Sequence, residues 1–181
     1  RILVSADSAP TSRAGVGAGF AGEIRLSSTA DAQIKVRIGD ADVAVIAAGD
    51  GLSITGTDHG DSIAIVFEDG FDGAGTLLVV TGEGGSDTVT LTRQGTLAIG
   101  GLSVGAEDIA LGADTGAGAW SIDGGLELTA AASVTGGMAQ VVLTDGVVAG
   151  GNVAISATAQ HLTAAQTAGE AATTGARISV G

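Results

Sequence analysis

Cysteine is missing from this sequence. Its absence excludes thiol nucleophiles, cysteine-ligated zinc and disulfide bonds. Aromatic residues are also scarce, with three Phe, one Trp and no Tyr, and there is one proline. Because 45% of the residues are still hydrophobic, the apolar content is mainly Ala, Val, Leu and Ile. This composition favours short strands around a narrow core, with tight turns at some of the 32 glycines, over a disordered chain.

Basic residues are few as well. The chain has 7 Lys and Arg against 20 Asp and Glu, which gives a net charge of −13. Between Arg37 and Arg93 there are ten carboxylates and no Lys or Arg. Such a surface repels phosphate backbones and anionic lipids, and no apolar run is long enough to cross a bilayer. We therefore expect no nucleic-acid partner and no membrane span.

The composition also bears on where the protein works. An acidic, cysteine-free chain rich in Gly, Ala and Thr is typical of bacterial export without disulfides. The sequence begins at Arg1 with neither Met nor a signal peptide, so we expect a processed chain or a fragment. These features predict an extracellular location at the bacterial cell surface.

Regular repetition is the strongest pattern in the sequence. Seven short segments place an apolar residue on either side of a central residue, each shortly after a glycine. This alternation is typical of a strand with one buried face. The segments are Ile24-Arg25-Leu26, Leu52-Ser53-Ile54, Leu77-Leu78-Val79, Leu102-Ser103-Val104, Leu126-Glu127-Leu128, Val153-Ala154-Ile155 and Ile178-Ser179-Val180.

The segments recur about every 25 residues. This recurrence predicts an all-β fold, specifically a right-handed parallel β-helix, a solenoid with coils of about 25 residues. Residues 23–181 would form the repeats, and residues 1–22 an irregular N-terminal segment or first coil. The alternative is a β-sandwich, which the regular spacing disfavours. A solenoid has open strand edges at its ends. We therefore expect neighbouring repeats or subunits to continue the stack, end to end or laterally.

Two segments within the acidic region align with each other without gaps. They are LSITGTDHGDSIAI, residues 52–65, and LVVTGEGGSDTVTL, residues 78–91. Both resemble the calcium-binding nonapeptide of RTX proteins, G-G-x-G-x-D-x-U-x. Gly82, Gly85, Asp87 and Val89 match it, with Glu83 where the second glycine belongs.

The resemblance makes calcium a candidate cofactor, because calcium binds carboxylate and carbonyl oxygens. Asp61 and Asp87 would stack one above the other, and Asp58 and Glu83 complete the candidate metal ligands. The alternative is that the two Asp residues only hydrogen-bond backbone amides in Gly-Asp turns.

The C-terminal half carries a second resemblance. GGLELTAAASVTGG, residues 124–137, and GGNVAISATA, residues 150–159, are similar to the degenerate repeats of filamentous-haemagglutinin-type adhesins. Together with the degenerate RTX-like turns, the chain resembles part of a giant repeat-containing bacterial surface adhesin. That resemblance implies a host or environmental glycan or surface as partner.

No constellation of catalytic residues stands out in the sequence. Enzymatic β-helices need paired carboxylates, or acids beside Arg or Lys, in a groove often lined by aromatic rings. Here the loop Glu68–Asp72 with Phe67 is the one place that combines aromatics and carboxylates, and His59 and His161 are far apart in sequence. We therefore expect a structural or adhesive segment of an exported surface protein, not an enzyme. The alternatives are a surface-layer or extracellular filament subunit and, in another class, a polysaccharide-processing β-helix enzyme.

Overall fold

A computed structural model describes residues 2–6, 12–14, 19–113, 118–132, 137–159 and 175–180. Within these residues every regular element is a strand, and no helix has the length and apolarity that a membrane crossing requires. The strands are β1 (Ile2–Ala6), β2 (Ser12–Ala14), β3 (Ala21–Ser28), β4 (Gln33–Ile38), β5 (Ala41–Ala47), β6 (Leu52–Thr55), β7 (Ser62–Phe67), β8 (Asp72–Thr81), β9 (Thr88–Arg93), β10 (Leu97–Ala106), β11 (Asp108–Ala113), β12 (Trp120–Ile122), β13 (Leu126–Ala132), β14 (Met138–Leu143), β15 (Val147–Ala149), β16 (Val153–Ala159) and β17 (Gly175–Val180). The predicted all-β class is confirmed.

The strands form two sheets that enclose one hydrophobic core. Sheet A has nine strands: β1, β2, β6, β8, β10, β12, β13, β15 and β16. Sheet B has eight: β3, β4, β5, β7, β9, β11, β14 and β17. Alternation of β-branched or leucine side chains with polar ones directs one face of each strand inward, as in β9, where Val89 and Leu91 are fully buried. From β6 onward the chain passes repeatedly between the sheets, and like residues pair with like.

Parallel pairing builds columns of apolar side chains along both sheets. In sheet A one column runs, at nearly regular spacing in the sequence, through Leu52, Leu78, Leu102, Leu126 and Val153. Sheet B has a corresponding column of Ile24, Ile65, Leu91, Leu111 and Leu143. Ile24 and Ile65 are separated by twice as much chain as Leu91 and Leu111, so the spacing in sheet B is far from constant.

The prediction of a right-handed parallel β-helix, a solenoid with regular coils, is wrong. The two sheets mix parallel and antiparallel pairs, and the described strands do not close into a solenoid. Strand β1 pairs antiparallel with β2 and β6, and β3, β4 and β5 form an antiparallel meander. Two facing sheets are closer to the β-sandwich alternative, although most of the pairs are parallel.

Local turn chemistry explains part of this error. Residues 39 and 40, a Gly-Asp pair, connect β4 to β5 directly, with Gly39 at φ +58°. A two-residue loop with positive φ is typical of a β-hairpin, and this signal competes with any regular coil length. The hairpin falls between β3 and β7 and accounts for the longest separation in the sheet B column.

The seven predicted segments are also not equivalent. Five of them lie in sheet A, but Ile24–Leu26 and Ile178–Val180 lie in sheet B. The segment at Leu77 is out of register by one residue, because Leu78 pairs with Leu52 and is buried whereas Leu77 is 49% exposed. A run of four apolar residues, 77–80, has no period-2 signal to settle which ones face inward. The predicted boundary between residues 22 and 23 stays a prediction.

Candidate functional site

Three buried acidic residues stand in a row where the chain enters sheet B. Asp61, Asp87 and Glu107 each lie immediately before a strand, at the starts of β7, β9 and β11. The strands pair in parallel, so these positions stack one above another. We call this row of three residues the acid ladder.

Each rung of the acid ladder accepts a hydrogen bond from the main chain of the strand entry before it. The Asp61 amide donates to Asp87 Oδ1 at 2.8 Å, and the Asp87 amide donates to Glu107 Oε2 at 2.8 Å. Asp61 itself accepts from the amide of Phe20. The three carboxylates therefore satisfy amides at the edge of the core that would otherwise lack a partner.

Asp61 has two further donors close by in sequence. The Thr57 amide donates to Asp61 Oδ2 at 2.5 Å, and the Thr57 hydroxyl donates to Asp61 Oδ1 at 2.9 Å. Hydrogen bonds to an ionised acceptor are stronger than those between neutral groups. These hydrogen bonds close the turn from Thr57 to Asp61. Asp61 is also hydrogen-bonded to Phe20, just before β3, and to Asp87, just before β9.

Two glycines make room for these carboxylates. A Cβ atom on Gly56 would collide with Asp61 Oδ2, and one on Gly82 would collide with Asp87 Oδ2. The separation between Gly and Asp is the same in the two aligned segments. The Gly-Asp spacing resembles a calcium motif, but packing also accounts for it, because a residue with a Cβ at the glycine position would collide with the carboxylate.

The electrostatic setting of Asp87 is unfavourable for its charge. Burial raises the pKa of the Asp87 carboxyl above its ordinary value, and the negative charges of Glu107 and Asp61 raise it further. The hydrogen bond from the Asp61 amide lowers that pKa but does not offset the other effects. Keeping the Asp87 carboxylate charged in the folded protein therefore costs free energy, and the hydrogen bond from the Asp61 amide reduces that cost.

The predicted metal ligands fall into two groups. Asp61 and Asp87 stack as proposed, whereas Asp58 and Glu83 are exposed on the turns. Glu83 has a φ of +95°, a conformation that favours glycine, and it is the residue that replaces a motif glycine. Among the described residues no group of three or more His, Asp or Glu side chains is arranged to hold a metal ion. The calcium site stays a prediction.

A small cavity of about 190 Å³ lies against the acid ladder. Its lining includes Thr81, Glu83, Asp87, Glu107 and Thr129. Sequence reasoning missed Glu107, because it follows Asp87 more closely than Asp87 follows Asp61 and so falls outside the aligned repeat. The signal was an acid before a strand of alternating apolar residues, as in D-S-I-A-I, D-T-V-T-L and E-D-I-A-L.

A second buried cluster joins the two sheets. Arg93 at the end of β9 is 2% exposed and pairs with Asp145 at 2.5 Å. Its guanidinium also donates to the carbonyls of Gly95 at 2.7 Å and Gly118 at 2.8 Å. Arg93 and Asp145 are distant in the sequence, and no sequence pattern predicted their pairing.

The hydrogen bond from Arg93 holds the pKa of Asp145 below its ordinary range, although partial burial acts in the opposite direction. The indole N–H of Trp120 contributes to the lowered pKa of Asp145 but makes no hydrogen bond of normal geometry. Trp120 is fully buried and packs edge-to-face on Phe67, with ring centroids 5.4 Å apart. The single tryptophan is therefore part of the core.

The acidic loop Glu68–Asp72 is not lined by exposed aromatic rings. Phe67 and Phe71 are buried and pack edge-to-face at 5.1 Å. Glu68 pairs with Arg37 at 2.5 Å, and Asp72 is hydrogen-bonded to Ser28 through its main chain. His59 is exposed, and His161 lies outside the described residues.

Comparison with known proteins adds no functional information. No protein-family model matches the chain, and neither a curated protein nor a solved structure is similar enough to count as a match.

Proposed function

We propose that this chain is a structural scaffold segment of an exported bacterial surface protein, which presents its loops and edges for adhesion. One observation carries the proposal: the buried carboxylates serve the main chain. All three acids of the acid ladder accept hydrogen bonds from amides, and the buried Arg93 neutralises Asp145. Both oxygens of Asp61 accept hydrogen bonds from the protein itself, so this carboxylate has no free oxygen for a substrate.

The composition supports an extracellular setting. Stability without disulfides has to come from packing and hydrogen bonds, and both sheets bury near-continuous columns of Ile, Leu and Val. The net charge of −13 favours solubility at the cell surface. Partners of this scaffold would be neighbouring copies or repeats through strand edges, and a glycan or surface of the host or environment.

Surface labelling tests the location and the role together. An antibody raised against the chain should label intact producing cells, and protease added to intact cells should remove the label. The purified chain should also compete with those cells for attachment. Labelling that requires permeabilised cells would contradict the proposal.

Catalysis is tested separately with acidic polysaccharides as substrates. Turnover that is abolished by Asp69→Asn or Asp72→Asn, with the fold intact by circular dichroism, would overturn the scaffold proposal. We expect no turnover above the buffer rate.

Calcium is tested by thermal melting. The sequence resemblance predicts that calcium raises Tm and that a chelator reverses the rise. Asp61→Asn should abolish that rise if Asp61 is a ligand. A melting curve that calcium and chelator leave unchanged would rule calcium out as a stabilising ion.

A further inference from the structure

The outer face of sheet A has a groove between a column of apolar residues and glycines and a column of polar side chains. In the first column Leu77 of β8 pairs in register with Gly101 of β10. The carbonyl of Gly125, just before β13, accepts a hydrogen bond from the amide of Leu102. Leu77 is 49% exposed, although its neighbour Leu78 is buried in the core. One exposed apolar side chain is thus followed by two glycines on the next strands.

The two glycines form the floor of this groove. A Cβ on Gly101 would lie 3.1 Å from Leu77 Cδ1, and a Cβ on Gly125 would lie 3.3 Å from the main-chain oxygen of Asn152. Side chains at these two positions would fill the space beside Leu77. The glycines instead leave a cavity of about 360 Å³, which is within the range of about 300–1,000 Å³ that is typical of small-molecule sites.

Polar side chains form the other wall of the groove. Ser103 of β10 and Glu127 of β13 pair in register, and both point to the outer face because Leu102 and Leu126 beside them are buried. The Ser103 hydroxyl donates a 3.3 Å hydrogen bond to Glu127 Oε2. The second oxygen of Glu127 and the side-chain amide of Asn152 make no hydrogen bond to any described residue. These groups are therefore free to bind a ligand.

The groove is built on strands that are paired on both sides. Strand β8 lies between β6 and β10, β10 lies between β8 and β13, and β13 lies between β10 and β16. Their main-chain groups are used within the sheet, so a peptide cannot bind here by adding a strand. A ligand has to be recognised by the side chains and by the shape of the groove.

We infer that this groove binds a neutral sugar residue of a glycan. The apolar face of a pyranose ring packs on Leu77 and on the glycine floor. A carboxylate accepts hydrogen bonds only, whereas an amide both donates and accepts. Sugar hydroxyls, which can do both, therefore complement Glu127 and Asn152 along the other wall. This inference rests on the proposed function, and it adds the class of glycan and the place where it binds.

Charge favours a neutral glycan over an anionic one. Glu127 forms no ion pair with a Lys or Arg among the described residues. The whole chain carries a net charge of −13, so a uronate or sulfate group would be repelled from the groove. A cationic ligand would be attracted to every acidic part of the surface and would gain little selectivity from this groove.

Titration with oligosaccharides, followed by amide NMR, tests the inference. The probes are neutral hexasaccharides of glucose, mannose and galactose, with hexagalacturonate as the anionic comparison. A neutral probe should shift the amide signals of Gly101 and Gly125. The amide of Gly105 should not move, because it lies in the same strand β10 but outside the groove lining. Hexagalacturonate should shift none of the three.

Two substitutions with matched controls test the two walls. Glu127→Gln removes the charged acceptor and should raise the Kd of the bound neutral probe about tenfold. Asp123→Asn makes the same charge change at an exposed residue outside the groove lining and should leave that Kd unchanged. Leu77→Ser removes the apolar surface and should raise the Kd about fivefold. Val148→Ser, at an apolar residue that is 64% exposed elsewhere, should have no effect.

Three outcomes would overturn the inference. They are an absence of shifts at Gly101 and Gly125 with every neutral probe at millimolar concentration, tighter binding of hexagalacturonate, and equal effects of Glu127→Gln and Asp123→Asn. Each would leave the scaffold proposal standing, because cell-surface labelling tests that proposal independently. Conversely, a chain that is found only inside cells would overturn the scaffold proposal without changing sugar binding by the purified protein.

Discussion

The main-chain amide of Asp61 donates a 2.8 Å hydrogen bond to the side chain of Asp87, one strand further along sheet B. The same relationship recurs between the amide of Asp87 and the side chain of Glu107. A carboxylate immediately before a strand thus links one passage of the chain to the previous one. The acid ladder therefore serves the main chain, because each carboxylate accepts a hydrogen bond from an amide at the previous strand entry.

Removing one rung should destabilise the fold. Asp87→Ala leaves the amide of Asp61 without an acceptor, which costs about 1–3 kcal/mol in the free energy of unfolding. Urea denaturation measures this loss. Asp58→Ala is the control, because Asp58 is exposed in the turn before Asp61 and should change stability by less than about 0.5 kcal/mol. Equal effects of the two substitutions would argue against the role of the acid ladder.

The raised pKa of Asp87 predicts a particular pH dependence. Its folded pKa lies above the ordinary value of 3.8, so the folded state binds the proton more tightly than the unfolded state. The contribution of Asp87 to stability is therefore greatest below that value and falls as pH rises through the folded pKa. Asp87→Asn keeps an oxygen to accept from the Asp61 amide but does not titrate.

Denaturation at a series of pH values checks the sign. The stability of the wild type relative to Asp87→Asn should decrease as pH rises from about the ordinary Asp pKa toward neutrality. A difference that stays constant or grows in favour of the wild type over the same interval would contradict a raised Asp87 pKa.

The glycines before the acid ladder should not tolerate a methyl group. Gly82→Ala introduces a Cβ at the position of the Asp87 carboxylate, and such overpacking costs about 1–3 kcal/mol. Gly105→Ala is the control, because nothing lies within 4 Å of a Cβ at that position. Thermal melting of both variants should lower Tm for the first only. A tolerated Gly82→Ala would indicate that the carboxylate can move.

Strain at Glu83 should be removable. Its φ of +95° is costly for any residue with a Cβ, so Glu83→Gly should stabilise the fold by about 1 kcal/mol. Asp58→Gly, on the neighbouring turn without a positive φ, should instead be neutral or destabilising because glycine adds freedom to the unfolded chain. Chemical denaturation distinguishes the two; a loss of stability in Glu83→Gly would mean that its side chain has a partner worth more than the strain.

The buried ion pair should contribute more to the free energy of unfolding than an exposed one. Asp145→Ala leaves the buried guanidinium of Arg93 without its counter-charge and should cost about 3–5 kcal/mol. Lys35→Ala breaks a pair whose side chains are open to solvent and should cost at most about 1 kcal/mol. Similar losses in the two variants would show that Arg93 has alternative partners when Asp145 is removed.

Individual residues show how much of the fold and of the acid ladder could be predicted from the sequence. Alternation of apolar side chains predicted an all-β chain, and the aligned segments predicted that Asp61 stacks with Asp87. Both statements depend on local period and on repetition at one spacing. The same spacing could not find Glu107, because the chain between β9 and β11 is shorter, and it could not find the antiparallel hairpin at Gly39.

Long-range partners were beyond sequence patterns for a different reason. Arg93 is, in the sequence, an ordinary charge at the end of a strand, and only the parallel register of β9, β11 and β14 within sheet B brings it to Asp145. The inward or outward choice at Leu77 and Leu78 is likewise decided by pairing with Leu52 and Leu102. Strand pairing therefore determines which of two adjacent apolar residues faces the core when the alternating pattern of the sequence does not.

Amide hydrogen exchange at Asp61 tests the central claim most directly. Measured residue by residue by NMR, the Asp61 amide should exchange slowly in the wild type. In Asp87→Ala it should exchange at least about tenfold faster, which corresponds to a lost hydrogen bond of about 1.4 kcal/mol. The amide of Val104, within the paired strand β10, should be slowed to the same extent in both proteins once global stability is taken into account. An Asp61 amide that is equally protected with and without the Asp87 carboxylate would contradict the account.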